Sequence, residues 1–182
     1  MPQVSLNARC ITVLGIDPGS VVTGWGVVRE RSGRAELVAN GVLKVKGDTF
    51  SERLAFIYHG LSDILRTYSP DEAGIEQVFT AKNIMSAIKL AQARGASVAA
   101  CAAFGIPVLD YEPSLVKKTL VGTGRADKEQ VAFMVRRILG NPDIEGPLDT
   151  TDAIGIAVCH LTLRRFRRLE ELQKQEVAKG RM

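Results

Sequence analysis

Four acidic residues stand where a carboxylate needs a physical reason to be. Asp17 follows the apolar run Ile11–Ile16 and precedes Pro18-Gly19, so it is held at the rim of a sheet by a tight turn. Glu76 lies in Gly74-Ile75-Glu76-Gln77-Val78, flanked by apolar residues on a strand expected to be central. A carboxylate there is costly unless something neutralises it. Asp149 and Asp152 are three apart at the start of the last expected helix, on one face, with Cβ atoms about 5–6 Å apart. If the first and fourth strands are neighbours and the last helix packs across them, all four acids meet. Carboxylates gathered in this way repel one another, and a divalent cation relieves the repulsion. An all-oxygen ligand set without His or Cys suits Mg²⁺ or Mn²⁺ rather than Zn²⁺. Two such ions about 3.5–4 Å apart can drive in-line displacement at a phosphodiester. Each acid also has a purely structural reading. Asp17 would open a turn, and Asp149 and Asp152 would cap the last helix and fill its first turn. Those readings are independent of each other, whereas a metal site explains all four residues together.

Basic residues accompany the acids. Between residues 80 and 128 lie Lys82, Lys89, Arg94, Lys117, Lys118, Arg125 and Lys128, against Asp110, Glu112 and Asp127, a net +4 (7 − 3). Contacts from such residues to phosphate would dominate affinity for DNA and make it salt-dependent. Lys128 falls in the first turn of an expected helix, where acids are preferred, and a phosphate role would explain it. The alternative for each is an ordinary surface cation. Phe79, three residues beyond Glu76, would either stack on an unpaired base or plug the core.

These groups need elements to hold them. Ile11–Asp17, Gly24–Glu30 and Ala35–Val45 read as an antiparallel meander with short turns. Thr49–Tyr68 shows helical periodicity through Leu54, Ile57, Leu61, Ile64 and Leu65, with Ser51 as candidate cap and Pro70 closing it. Then come a strand at Glu72–Val78, an Ala-rich helix at Ile84–Phe104 and a strand at Pro107–Tyr111. Helices follow at Ser114–Leu120, Lys128–Leu139 and Asp152–Leu172. A meander followed by alternating strands and helices predicts an α/β fold with a mixed five-stranded sheet flanked by helices on both faces.

The length of 182 residues suits one domain. Residues 1–163 are neutral, with 17 basic and 17 acidic side chains, so the net +4 comes from the last 19 residues, which hold 7 basic and 3 acidic. We therefore expect one folded domain over 1–165 and a flexible basic tail over 166–182, suited either to a polyanion or simply to solvent. Cys10, Cys101 and Cys159 are far apart in apolar surroundings and read as buried, reduced thiols, consistent with a cytoplasmic protein. His160 reads as structural. No secretory leader is expected, because the first apolar run ends in Asp17-Pro18-Gly19. The stretch Ala96–Leu109 is interrupted by Ser97 and Pro107 and falls short of the ~20 residues a membrane span requires.

In order and spacing, several pieces resemble the RuvC family of crossover junction endodeoxyribonucleases. They are Gly15-Ile16-Asp17-Pro18-Gly19-Ser20 with Thr23-Gly24-Trp25-Gly26, Ile75-Glu76-Gln77-Val78-Phe79 with Ala81-Lys82-Asn83, Ala91-Gln92-Ala93-Arg94-Gly95, Val116-Lys117 through Val121-Gly122, and Asp149-Thr150-Thr151-Asp152-Ala153. The resemblance covers about residues 11–160. It departs at Thr80, Ile84-Met85 and the loop Asn141–Pro147, and does not reach the basic tail. It implies an RNase H-like fold and a homodimer that resolves Holliday junctions, four-way DNA, by paired symmetric nicks in recombination and repair. The acidic tetrad would be Asp17, Glu76, Asp149 and Asp152, holding two Mg²⁺ or Mn²⁺ ions per active site. Lys117 and Lys128 would contact phosphate or the transition state, and Phe79 would stack near the branch point. The products would carry ligatable 5′-phosphate and 3′-hydroxyl ends, and the RuvA–RuvB branch-migration complex would be the partner.

Three other functions compete. An ATP-binding protein of the actin, Hsp70 and sugar-kinase class shares Asp-x-Gly-Ser after a strand, but needs two lobes for which this length leaves no room. An RNase H-like nuclease acting on RNA–DNA hybrids would use the same carboxylates. A non-catalytic junction-binding protein would have no use for all four.

Overall fold

A computed structural model describes residues 10–77, 84–141, 144 and 148–179, and the side chains of all of these except 148, 149 and 168–179. Strands β1 (Ile11–Asp17), β2 (Val22–Arg31) and β3 (Arg34–Lys44) form the expected antiparallel meander, and helix α1 (Phe50–Tyr68) follows. Then come β4 (Glu72–Glu76), α2 (Ile84–Ala103), β5 (Val108–Tyr111), α3 (Pro113–Val121), α4 (Lys128–Leu139) and α5 (Leu148–Lys179). The sheet order is β3-β2-β1-β4-β5, with β4 parallel to β1 and β5 parallel to β4. The mixed five-stranded sheet is thus as predicted, with β1 at its centre.

Side-chain alternation on β1 divides the core in two. Leu14 and Ile16 join Ala73, Ile75, Ile57, Leu61 and Leu65 in a cluster with α1 and α2. Ile11 and Val13 join Val28, Leu120, Val131, Val135, Ile154 and Ile156 in a cluster with α3, α4 and α5. Because successive strand residues face opposite ways, Gly15 and Asp17 belong to the second face, as do Glu72, Gly74 and Glu76 of β4.

Local signals set the helix ends. Thr49, not Ser51, caps α1: its side chain accepts from the Glu52 N–H while the Glu52 carboxylate accepts from the Thr49 N–H. Thr49 and Glu52 have the three-residue spacing of a capping box, which Ser51 lacks. Asp127 and Gln130 make the same reciprocal pair at α4, which starts at Lys128 as expected. Helix α5 is longer than its expected Asp152–Leu172, and the boundary drawn at residue 165 falls inside it. Cys101 and Cys159 are buried and unpaired, but Cys10 is exposed, because it precedes the first residue paired in β1. Among the described residues no helix is long and apolar enough to cross a membrane.

Candidate active site

Two parallel strands in register place the first pair of acids. Ile16 is opposite Ile75, so Asp17 and Glu76 end β1 and β4 side by side on the α5 face. Helix α5 brings the third acid because the sheet has no side chains in its path. A Cβ on Gly15 would lie 2.0 Å from the Ala153 carbonyl oxygen, and one on Gly26 would lie 2.6 Å from Ile154. One on Gly74 would lie 3.0 Å from the Ile156 side chain. The glycines form a shallow trough in which α5 rests. One helical stripe (Asp152, Ile156, His160 and Arg164) then runs along Glu76, Gly74 and Glu72 of β4. Four helical residues rise about 6 Å and two strand residues about 6.6 Å, so the two patterns stay in step.

Asp17, Glu76 and Asp152 share a cleft of about 320 Å³ with Lys117 and Lys128, walled by Pro113, Val116, Val131 and Ile156. The Glu76 carboxyl is pushed above the usual carboxylate range, first by burial and then by the charge of Asp152. A hydrogen bond with Asp17 and the charges of Lys128 and Lys117 oppose the rise. Lys128 Nζ donates to Asp152 Oδ2 at 2.8 Å. The starts of α3, α4 and α5 are gathered here, since Pro113 and Lys128 open their helices and Asp152 lies one turn into its own. Their positive dipole ends favour anions in the cleft.

These features fit a divalent cation. The donors are all carboxylate oxygens, Asp17 and Glu76 lie within hydrogen-bonding reach of each other, and an ammonium already neutralises the third. Asp149 begins the same helix one turn before Asp152, with its side chain outside the described set. Among the described residues no three His, Cys, Asp or Glu side chains stand close enough to hold an ion by themselves. Asp152 is turned to Lys128, and the side chain of Asp149 lies outside the described residues.

The other expected contacts are scattered. Phe79 and Lys82 lie outside the described residues. Lys89, Lys118 and Arg125 are exposed and do not line the cleft. Arg94 is hydrogen-bonded to Asp110 in an ion pair, so its charge is already engaged. His160 is fully buried, with Nε2 2.7 Å from Glu72 Oε2 at the opposite end of β4, which agrees with a structural role. The sequence reading missed the trough glycines. Gly15-Ile16-Asp17 and Gly74-Ile75-Glu76 both set a glycine two residues before an acid, hence on the same face, and that repeat was the available signal.

The family model for crossover junction endodeoxyribonuclease RuvC matches residues 13–160. A protein of that description from Oleidesulfovibrio alaskensis is 60% identical over 164 residues, spanning 90% of this chain and 98% of the relative. One from Nitratidesulfovibrio vulgaris is 55% identical over 166 residues, spanning 91% and 99%. The solved structure of Thermus thermophilus RuvC in complex with Holliday junction substrate superposes with a TM-score of 0.81 at 35% identity, covering 86% of this chain and 96% of that one. With the fold, the cleft and these likenesses in agreement, the chain belongs to the RuvC family of crossover junction endodeoxyribonucleases.

Proposed function

We propose that the protein resolves Holliday junctions by hydrolysing one phosphodiester in each of two strands, with Asp17, Glu76, Asp149 and Asp152 holding two Mg²⁺ or Mn²⁺ ions. The observation that carries this is the convergence of Asp17, Glu76 and Asp152 with Lys117 and Lys128 in one cleft. Nucleases of this family are metal-dependent. When bound, the ions supply an activated water and neutralise charge on the phosphate.

The chain's own groups do the rest. Lys117 puts a positive charge beside the carboxylates, where the pentacovalent phosphorus gathers negative charge. Val116, Val131 and Ile156 form an apolar wall that limits bulk water and strengthens these interactions. A water oxygen forms the new bond to phosphorus, the bond to the 3′ oxygen breaks, and a proton passes to that oxygen. The products are a 5′-phosphate and a 3′-hydroxyl.

Paired nicks need two such sites, and we infer a two-fold homodimer. Ile84, Met85 and Ile88 are exposed on α2, at 77%, 59% and 44%, which supports that helix as the contact face. Phe79, following β4, is proposed to stack on a base at the branch point. Lys82, Lys89, Lys118, Arg125 and the basic segment 166–182 are proposed to contact more distant phosphates. The RuvA–RuvB complex and a cytoplasmic location follow from the same family reading.

The test is cleavage of a labelled mobile four-way junction, with linear duplex and RNA–DNA hybrid as controls, with and without Mg²⁺ or Mn²⁺. Symmetric, ligatable nicks in the junction alone, and only with metal, are expected. Cleavage of the hybrid instead would keep the carboxylate chemistry and overturn the substrate.

A further inference from the structure

The Lys128–Asp152 ion pair ties the start of α4 to the start of α5. Lys128 opens α4, and the Asp127–Gln130 capping box fixes the backbone at that point. A cation at a helix N-terminus opposes the helix dipole, so the position is unfavourable for α4 taken alone. The ammonium instead reaches α5 and lies 2.8 Å from Asp152 Oδ2. Side-chain exposures are 57% for Lys128 and 25% for Asp152, so the carboxylate is the more enclosed partner and the lysine the one with room to swing out. An ammonium at that distance uses a lone pair that a divalent cation would need, and it adds a positive charge to the cluster. Lys117 lines the same cleft and also acts on Glu76 through its charge, yet the ion pair of Asp152 is with Lys128.

We propose that Lys128 is a built-in competitor of the divalent cation at Asp152. The ammonium neutralises this carboxylate until an ion displaces it. Once displaced, the ammonium is tethered at the cleft mouth, free to meet the phosphate that arrives with the DNA. Metal binding and the release of a phosphate-binding cation are then one event. This inference rests on the metal-site reading above.

The experiment is titration of the full-length protein with Mn²⁺ in the absence of DNA, followed by the electron paramagnetic resonance signal of free Mn²⁺. Circular dichroism checks that each variant is folded. Lys128→Met is expected to tighten Mn²⁺ binding by roughly five-fold or more, because a competing cation has been removed. Lys117→Met, which removes an equal charge from the same cleft, is expected to tighten it by roughly two-fold at most, through general electrostatics. In an Asp152→Asn background the gain from Lys128→Met should shrink to the roughly two-fold expected of Lys117→Met, because the Lys128 charge still reaches Glu76. Unchanged or weaker binding in Lys128→Met overturns the inference, as does an equal gain in Lys117→Met. Folded wild-type protein that binds no Mn²⁺, alone or with junction DNA present, overturns the metal-site reading and this inference with it.

Discussion

Strand β4 carries a glutamate at each end, and the two have opposite fates. Glu72 and Glu76 face the same helix from the same side of the sheet, four residues apart. At the Glu72 end α5 offers His160 Nε2 at 2.7 Å and Arg164 Nε at 2.8 Å. Burial would raise the Glu72 carboxyl, but Arg164 and His160 outweigh it and hold the group below the usual range. At the Glu76 end α5 offers Asp152, and the carboxyl is pushed up by burial and by that like charge. The first arrangement satisfies its charge within the fold. The second leaves a surplus of negative charge that a bound cation would relieve, and this is how the proposed site differs from a scaffold built of the same residue types.

The largest expected effect breaks the acidic end outright. Asp17→Asn should lower cleavage by roughly 10³-fold or more, while junction binding in a gel-shift assay persists. Loss of binding together with loss of the circular dichroism signal would assign Asp17 a structural task instead. Next comes a change that touches no charged group. Gly15→Ala places a methyl against the α5 backbone, which cannot move aside as a side chain can. Urea denaturation should show a loss of about 3 kcal/mol, at the upper end for overpacking. Residual folded protein should cleave poorly, because α5 and its Asp152 have been lifted off the sheet. A variant with normal stability and normal cleavage would refute the trough.

The two glutamates themselves give the sharpest contrast. Glu72→Gln should lower stability by about 1–2 kcal/mol and leave cleavage by the folded enzyme near normal. Glu76→Gln should abolish cleavage and, in EDTA, raise stability by up to about 1 kcal/mol, since it removes a repulsive charge. If both variants lose stability alike, the difference between the ends of β4 is not energetic. The cations extend the comparison: Lys117→Ala should slow cleavage about ten-fold while changing junction binding less, because its charge matters most in the transition state. Equal losses in both would make it a plain backbone contact.

The smallest effect is in pH dependence. Glu72 and His160 are both lowered in the fold, His160 first by burial. For each, the unfolded chain takes up its proton at the higher pH. The stability they contribute is therefore present above their unfolded pKa values, about 6.5 for His and about 4.3 for Glu, and is lost as pH falls through the folded values. Glu76 has the reverse sign. It costs stability at neutral pH, and that cost disappears as its raised carboxyl protonates. Thermal melts in EDTA should thus show acid destabilisation that is blunted in Glu72→Gln and steepened in Glu76→Gln.

Much of this was legible in the chain before it folded. Short apolar runs separated by turns gave three antiparallel strands, the 3–4 residue spacing gave α1, and the helix expected from Lys128 is α4. Asp17 and Glu76 were conspicuous because polar groups after buried strands are expensive. Residue types and spacings set these features, and both act over one or two turns. The register of β4 against β1 decided that Asp17 and Glu76 lie abreast. Removal of side chains at Gly15, Gly26 and Gly74 let α5 approach closely enough to bring Asp152 to them. Which cations were bound to partners, as Arg94 is to Asp110 and Lys128 to Asp152, depended on distances between residues 16 and 24 apart in sequence. Local chemistry is written in the sequence, but the balance of charge at a site is a sum over neighbours that only packing brings together.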